Sequence, residues 1–122
     1  MLKEIPEYKL ELLLTLRKKY RLYLLSNTND LHWNVCIPKF EYRGLRVGDF
    51  FTHVFLSYQM HQAKPDIVIF QTVLKEAKLL PEETLFIDDS LENCRAAASL
   101  GINVFHYVPG DDLEMQLLNF ID

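Results

Sequence analysis

Cysteine is scarce in this chain. Cys36 and Cys94 are the only two among 122 residues, far apart and in no paired motif. That argues against a disulfide framework or a cysteine-built metal site and fits reduced, mostly buried thiols in a cytoplasmic protein. No apolar run approaches the roughly 20 residues that span a bilayer. Residues 1–6 have neither an apolar core segment nor a small-residue cleavage site, so no secretory signal is visible. Positive charge is not in excess: 13 Lys and Arg face 17 Asp and Glu, for a net charge of −4, with the signs interleaved. Without a basic stripe, nucleic acid is not an expected partner. No Gly-x-Gly-x-x-Gly follows any strand-like run, which argues against a nicotinamide-binding domain. No repeat, low-complexity tract or linker interrupts the chain, so residues 1–122 read as a single domain's worth of sequence.

What is present is ordinary for a globular protein: 49% apolar and 25% charged residues, enough to bury a real core. The informative stretch is Leu85-Phe86-Ile87-Asp88-Asp89-Ser90. Three apolar residues in a row suggest a strand buried on both faces. Ser90 is a good N-cap, Glu92 suits a first turn, and Gly101 can close a helix about three turns on. Two carboxylates at the end of a buried strand repel each other and resist desolvation. A hard cation such as Mg²⁺ relieves both problems when it bridges them to a phosphate. An N-cap acid beside a solvated acid on a surface turn accounts for the pair as well.

Ahead of this stretch, Pro6 can open a helix reaching about Lys19, with Leu10, Leu13, Leu14, Leu16 and Tyr20 inward. Arg17, Lys18 and Lys19 would then oppose the negative end of its dipole. Leu22-Tyr23-Leu24-Leu25 reads as a short buried strand ending at the polar cluster 26–30, where free N–H groups suit an anion. Capping of the next helix by Ser26 or Thr28 is the plainer account. Residues 36–51 carry a weak pattern broken by Pro38, Gly44 and Gly48. There Phe40, Tyr42, Leu45 and Val47 either cover core or line a rim. Residues 53–57 read as a strand. Pro65 then opens a helix with Ile67, Phe70, Leu74 and Ala77 inward, which puts Lys64 at the N-cap. Lysine is a poor cap with its charge at the wrong end of the dipole, unless an anion binds there. A lysine that swings out into solvent meets the objection equally well. After the acid pair, Cys94, Ala97 and Ala98 give a small-residue face. Residues 103–108 read as a strand stopped by Pro109-Gly110, and Asp111 or Asp112 caps a last helix with Leu113, Leu117 and Phe120.

Strands and helices therefore alternate, which predicts an α/β fold: a parallel sheet with helices on both faces. Ligands of such sheets gather at the carboxyl ends of the strands, where this reading places Ser26, Lys64, Asp88 and Asp89.

Leu24-Leu25-Ser26-Asn27, then Lys64-Pro65-Asp66, then Phe86-Ile87-Asp88-Asp89-Ser90 with Glu92, Asn93, Ala96 and Gly101, strongly resemble the haloacid dehalogenase-like (HAD) hydrolases. The resemblance covers motifs two to four of that superfamily over residues 5–108 and is closest to its bacterial phosphatase branch. It implies a three-layer, Rossmann-like sheet and Mg²⁺-dependent hydrolysis of phosphomonoesters through an aspartyl-phosphate. The partner implied is a small phosphorylated metabolite. Ser26, with the Asn27 backbone N–H, would bind the transferring phosphoryl group. Lys64 would neutralise its charge, and Asp89, supported by Asp88, would hold the metal. Such chemistry needs donors and a metal fixed in advance.

Two parts of the family pattern are missing. No Asp-x-Asp, the family's nucleophile and general acid, precedes Pro6, and the cap insertion is absent. The sheet would also lack its central strand, which an earlier segment or a second copy of the chain would have to supply. The expectation is a partial HAD-like core over residues 1–122 that has no hydrolase activity by itself. The alternative is a non-catalytic module that binds phosphate or Mg²⁺, or serves in assembly. A receiver domain fits less well, because there the acid pair ends the first strand and the lysine comes last.

Overall fold

A computed structural model describes residues 7–108 together with Met115 and Leu117. The chain divides into two compact units, Met1–Gln59 and Met60–Asp122, and each builds one parallel pair of strands.

In the first unit, helix α1 (Glu7–Leu16) is followed by strand β1 (Tyr23–Ser26) and helix α2 (Asp30–Cys36). A 3₁₀ turn (Ile37–Phe40), the one-turn helix α3 (Val47–Phe50) and strand β2 (His53–Leu56) complete it, and the one-turn helix α4 (Ser57–Met60) runs over its boundary at Gln59. β1 and β2 are parallel, with Tyr23 opposite His53 and Ser26 opposite Leu56. Helix α1 ends at Leu16, one turn earlier than the sequence reading has it. Arg17, Lys18 and Lys19 lie in a tightening turn where the Lys19 and Tyr20 amides both donate to the Leu16 carbonyl. The basic group is therefore beyond the helix, and the Arg17 guanidinium donates to the Asp49 carbonyl. Leu10, Leu12 and Leu16 are buried, whereas Tyr20, past the helix end, is exposed.

The stretch 36–51, which the sequence left open between core and rim, is core. Phe40, Tyr42, Leu45 and Val47 pack with Leu13, Leu14, Leu22, Leu24 and Val54 around buried Leu10, Phe50 and Phe51. The Phe40 and Phe51 rings meet edge to face, centroids 5.7 Å apart, an arrangement that suits aromatic quadrupoles. Tyr42 and Leu45 bridge a tight turn in which Arg43 and Gly44 both adopt positive φ. The turn is tied to α1 through Glu11, whose carboxylate accepts from the Tyr42 hydroxyl at 2.7 Å and pairs with Arg43 at 2.7 Å.

In the second unit, helix α5 (Ile67–Glu76) leads through a 3₁₀ turn (Pro81–Glu83) to strand β3 (Leu85–Asp88). Helix α6 (Leu91–Ala98) and strand β4 (Asn103–His106) follow. β3 and β4 are parallel, Leu85 opposite Asn103 and Asp88 opposite His106. The core is Ile69, Phe70, Cys94, Ala97, Ile102 and Leu117, with Phe70 edge-on to Phe86 at 5.1 Å. Ile69, not Ile67, is the buried aliphatic of α5: Ile69 is fully buried and Ile67 is 40% exposed. The helix itself starts two residues later than the sequence reading has it, at Ile67 instead of Pro65. Gly101 has φ +86 and its amide donates to the Ala98 carbonyl, closing α6 as expected. The last helix falls outside the described residues except for Met115 and Leu117, both helical.

The observed order is an alternation of helices with parallel strands, as the sequence implies. Among the described residues the four strands form two separate pairs, β1–β2 and β3–β4, with no ladder joining them.

Candidate functional site

At the end of β3, Asp88 is the last strand residue and Ser90 the N-cap of α6. The Ser90 hydroxyl accepts from the Asn93 amide at 3.3 Å, which fixes the start of the helix. The chain thus turns from strand to helix within two residues, and the turn folds back on the Asp88 side chain. Oδ1 accepts from the Ser90 amide at 2.9 Å, and Oδ2 from the Lys64 ammonium at 3.0 Å and the Asn93 side-chain amide at 3.2 Å. Lys64 and Asp88 form a nearly enclosed ion pair, with side chains 12% and 10% exposed, and the ammonium lies 5.7 Å from the Phe86 ring centroid. Burial by itself would raise the Asp88 carboxyl. The Ser90 N–H, the Lys64 charge and Asn93 outweigh it and hold the group below the ordinary carboxylate range. Cys94 is buried beside the pair, its Sγ 3.7 Å from the Asp88 carbonyl, and burial and the neighbouring Asp88 charge push its thiol up; the residue packs the core of this unit.

Lys64 reaches this position by a different local route from the one its sequence suggests. The N-cap of α5 is Asp66, whose carboxylate accepts from the Val68 amide at 3.1 Å. Aspartate is a far better cap than lysine, so the helix begins two residues later and Lys64 lies in the turn before it, where Asp66 N–H donates to the Ala63 carbonyl. The charge objection is met by the Asp88 carboxylate.

Asp89 stands in contrast to its neighbour. It is exposed, and its carboxylate makes no hydrogen bond or ion pair among the described residues. Its carbonyl accepts from His106 Nε2 at 3.0 Å, and the Asp88 carbonyl accepts from the Tyr107 amide at 3.2 Å. The acid pair therefore comprises one carboxylate that already holds three donors and one that is open. As hard oxygen donors beside each other they suit Mg²⁺, which is commonly held by one or two carboxylates, its own waters and phosphate oxygens. Among the described residues no three His, Cys, Asp or Glu side chains converge on one point, so further ligands would have to come from elsewhere.

In the first unit, Ser26 is the last residue of β1 and Asn27 follows it, exposed. Neither Ser26 nor Thr28 caps α2. The cap is Asn29, whose side chain accepts from the His32 amide at 2.9 Å. Thr28 is held across the strand end instead: its amide donates to the Ser57 hydroxyl at 2.8 Å, and that hydroxyl donates to the Thr28 carbonyl at 2.9 Å. Ser26 is thus left without a capping duty.

The structure brings Lys64 to Asp88, keeps Asp89 open beside them, and puts Ser26 and Asn27 at the end of β1. Sequence reasoning gave no site role to Asn93, Ser90 or His106. Asn93 was within reach of it, because a residue one turn into a helix faces back toward the residues before the cap. His106 was not, because its link to Asp89 depends on the pairing of β3 with β4.

A family model for haloacid dehalogenase-like hydrolases matches residues 1–101. The chain is 38% identical over 116 residues to the D-ribitol-5-phosphate phosphatase of Bacteroides thetaiotaomicron, covering 93% of this chain and 56% of that protein. Its structure superposes on a HAD family enzyme of the same organism, solved with magnesium and inorganic phosphate. The TM-score is 0.87 and the identity 47%, over 93% of this chain and 58% of that one. A predicted HAD-like family hydrolase of Porphyromonas gingivalis matches with TM-score 0.90 and 35% identity, over 98% of this chain and 59% of that one. The chain spans somewhat more than half the length of these relatives. With its parallel strand pairs, its helices and its Lys64–Asp88–Asp89 strand end, it belongs to the haloacid dehalogenase-like hydrolase family.

Proposed function

We propose that this chain carries the phosphate-neutralising and metal-holding part of a Mg²⁺-dependent phosphomonoester phosphatase. The carrying observation is the division of labour in the acid pair: Asp88 is engaged by Lys64, Ser90 and Asn93, while Asp89 is left open beside it. Asp89 would ligate the metal directly, and Asp88 would fix the Lys64 ammonium where it meets the phosphoryl charge. When bound, Mg²⁺ neutralises the phosphate oxygens and orients them. Ser26 and the Asn27 N–H would donate to the transferring group. The absence of a capping role for Ser26 supports that assignment.

No Asp-x-Asp occurs anywhere in the 122 residues. The carboxylate that accepts the phosphoryl group is therefore proposed to come from a further segment, which would also add the sheet's central strand. A second copy of this chain could supply the strand but not the nucleophile. Residues 1–122 are read as a partial HAD-like core domain, without a cap, acting in the cytoplasm, a location that two free cysteines favour. The substrate class is a small phosphorylated metabolite, and D-ribitol 5-phosphate, the substrate named for a relative at 38% identity, is the first to try.

The test is turnover of p-nitrophenyl phosphate with Mg²⁺ by two proteins: the gene's full product and residues 1–122 alone. Activity in the first and none in the second is the expected result. Steady turnover by residues 1–122 alone would overturn the assignment of the nucleophile to another segment. Phosphate binding without turnover by the full product would favour a non-catalytic binding module.

A further inference from the structure

The two carbonyls of the acid pair are each held from the end of β4, one by its last residue and one by the residue after it. Asp88 lies opposite His106 in the β3–β4 register. The Asp88 carbonyl accepts from the Tyr107 backbone amide at 3.2 Å, continuing the ladder. The Asp89 carbonyl lies one residue beyond the strand, and there a side chain takes over: His106 Nε2 is 3.0 Å from it. A carbonyl oxygen only accepts, so Nε2 carries the proton. Peptide units are rigid planes, and φ and ψ of Asp89 are the rotations between the two planes that flank it. The plane before Asp89 is held through the Asp88 carbonyl. The plane after it is held at both ends, by His106 on the Asp89 carbonyl and by Asp88 Oδ1 on the Ser90 amide. With both planes fixed, the Asp89 Cα–Cβ bond points in one direction, and only the side-chain torsions remain free.

We infer that His106 is a positioning residue for the metal site. Together with the Tyr107 amide and Asp88 Oδ1 it aims, through the backbone, a carboxylate that makes no hydrogen bond or ion pair of its own among the described residues. This rests on the reading of Asp89 as the Mg²⁺ ligand. Partners that orient metal ligands from outside commonly contribute 10- to 100-fold in affinity, and one acting through the backbone belongs at the lower end of that range.

The test is direct metal binding by the gene's full product, with Mn²⁺ as the probe and free Mn²⁺ read by electron paramagnetic resonance, so no turnover is needed. His106→Phe keeps a ring but loses the donor, and His106→Gln keeps an N–H donor without the ring. The expected result is Mn²⁺ binding weakened about tenfold in the Phe variant and less than about threefold in the Gln variant. His106→Leu replaces the Phe variant should that protein fail to fold. Asp89→Asn is the control. If Asp89→Asn loses Mn²⁺ binding while His106→Phe stays within twofold of wild type, the positioning role is wrong and the metal reading stands. Equal weakening in the Phe and Gln variants would also overturn the role, since the donor would then not matter. If Asp89→Asn binds Mn²⁺ like wild type, the metal reading itself is wrong.

Discussion

Lys64 and Asp88, 24 residues apart, form a charge-assisted hydrogen bond of 3.0 Å with both side chains nearly enclosed. Removing one partner of such a pair leaves a desolvated charge behind, which costs more than the bond itself contributes. Lys64→Met is expected to destabilise the fold by about 2–4 kcal/mol, and Lys64→Met combined with Asp88→Asn by less than Lys64→Met alone. Urea unfolding of the wild type, the two single variants and the double variant measures the coupling. Additive effects would show that the ion pair is not coupled.

The same pair sets a pH dependence. The folded Asp88 carboxyl lies below its ordinary value, so the unfolded chain binds the proton more readily. Its contribution to stability is therefore complete above about pH 3.9, the ordinary aspartate value, and is lost as pH falls through the lower folded value. The stability difference between wild type and Asp88→Asn should be constant from pH 7 to about 5 and shrink below about 4. A difference that instead grows on acidification would contradict the direction of the shift.

Asn29 and Ser26 separate capping from chemistry. Asn29→Ala removes the acceptor for the His32 amide and should cost about 1 kcal/mol of stability. Ser26→Ala should cost less than about 0.5 kcal/mol yet reduce phosphatase turnover of the full gene product at least tenfold. Thermal melts and initial rates on the two variants measure the contrast. A larger stability loss for Ser26→Ala than for Asn29→Ala would reverse the assignment.

Gly101 closes α6 at φ +86, and an added Cβ would meet only the Pro81 Cβ at an ordinary 3.7 Å. Space is not the issue there, and the left-handed backbone is. Gly101→Ala should cost about 1–2 kcal/mol from conformation alone. Gly101→Asn, which tolerates that region, should recover part of the loss, and chemical denaturation of both variants tests the order.

Much of this was legible in the sequence for a definite reason. The runs Leu24-Leu25, Phe86-Ile87 and Val104-Phe105 are short, apolar and followed by caps or breakers, so local chemistry announces a parallel α/β fold and the ends of its strands. Boundaries failed where a better local partner competed. Asp66 displaced Lys64 as a cap, Asn29 displaced Ser26 and Thr28, and α1 stopped short of its basic tail. Residues 36–51 were opaque because their burial comes from contacts with Leu10 and Leu13, far away in sequence, and follows no period of its own. His106 was invisible because strand register is a tertiary fact.

The two hydrogen bonds between the Ser57 hydroxyl and the Thr28 backbone have a consequence for solvent exchange. One hydroxyl serves Thr28 as both acceptor and donor, as an opposing residue's carbonyl and amide would. The β1–β2 ladder thus extends one rung past its last strand residues by side chain alone. The Thr28 amide should therefore exchange with deuterium at the pace at which the strand pair opens, not at the pace of a surface loop. Ser57→Ala should release that one proton while the amides within β1 keep their protection.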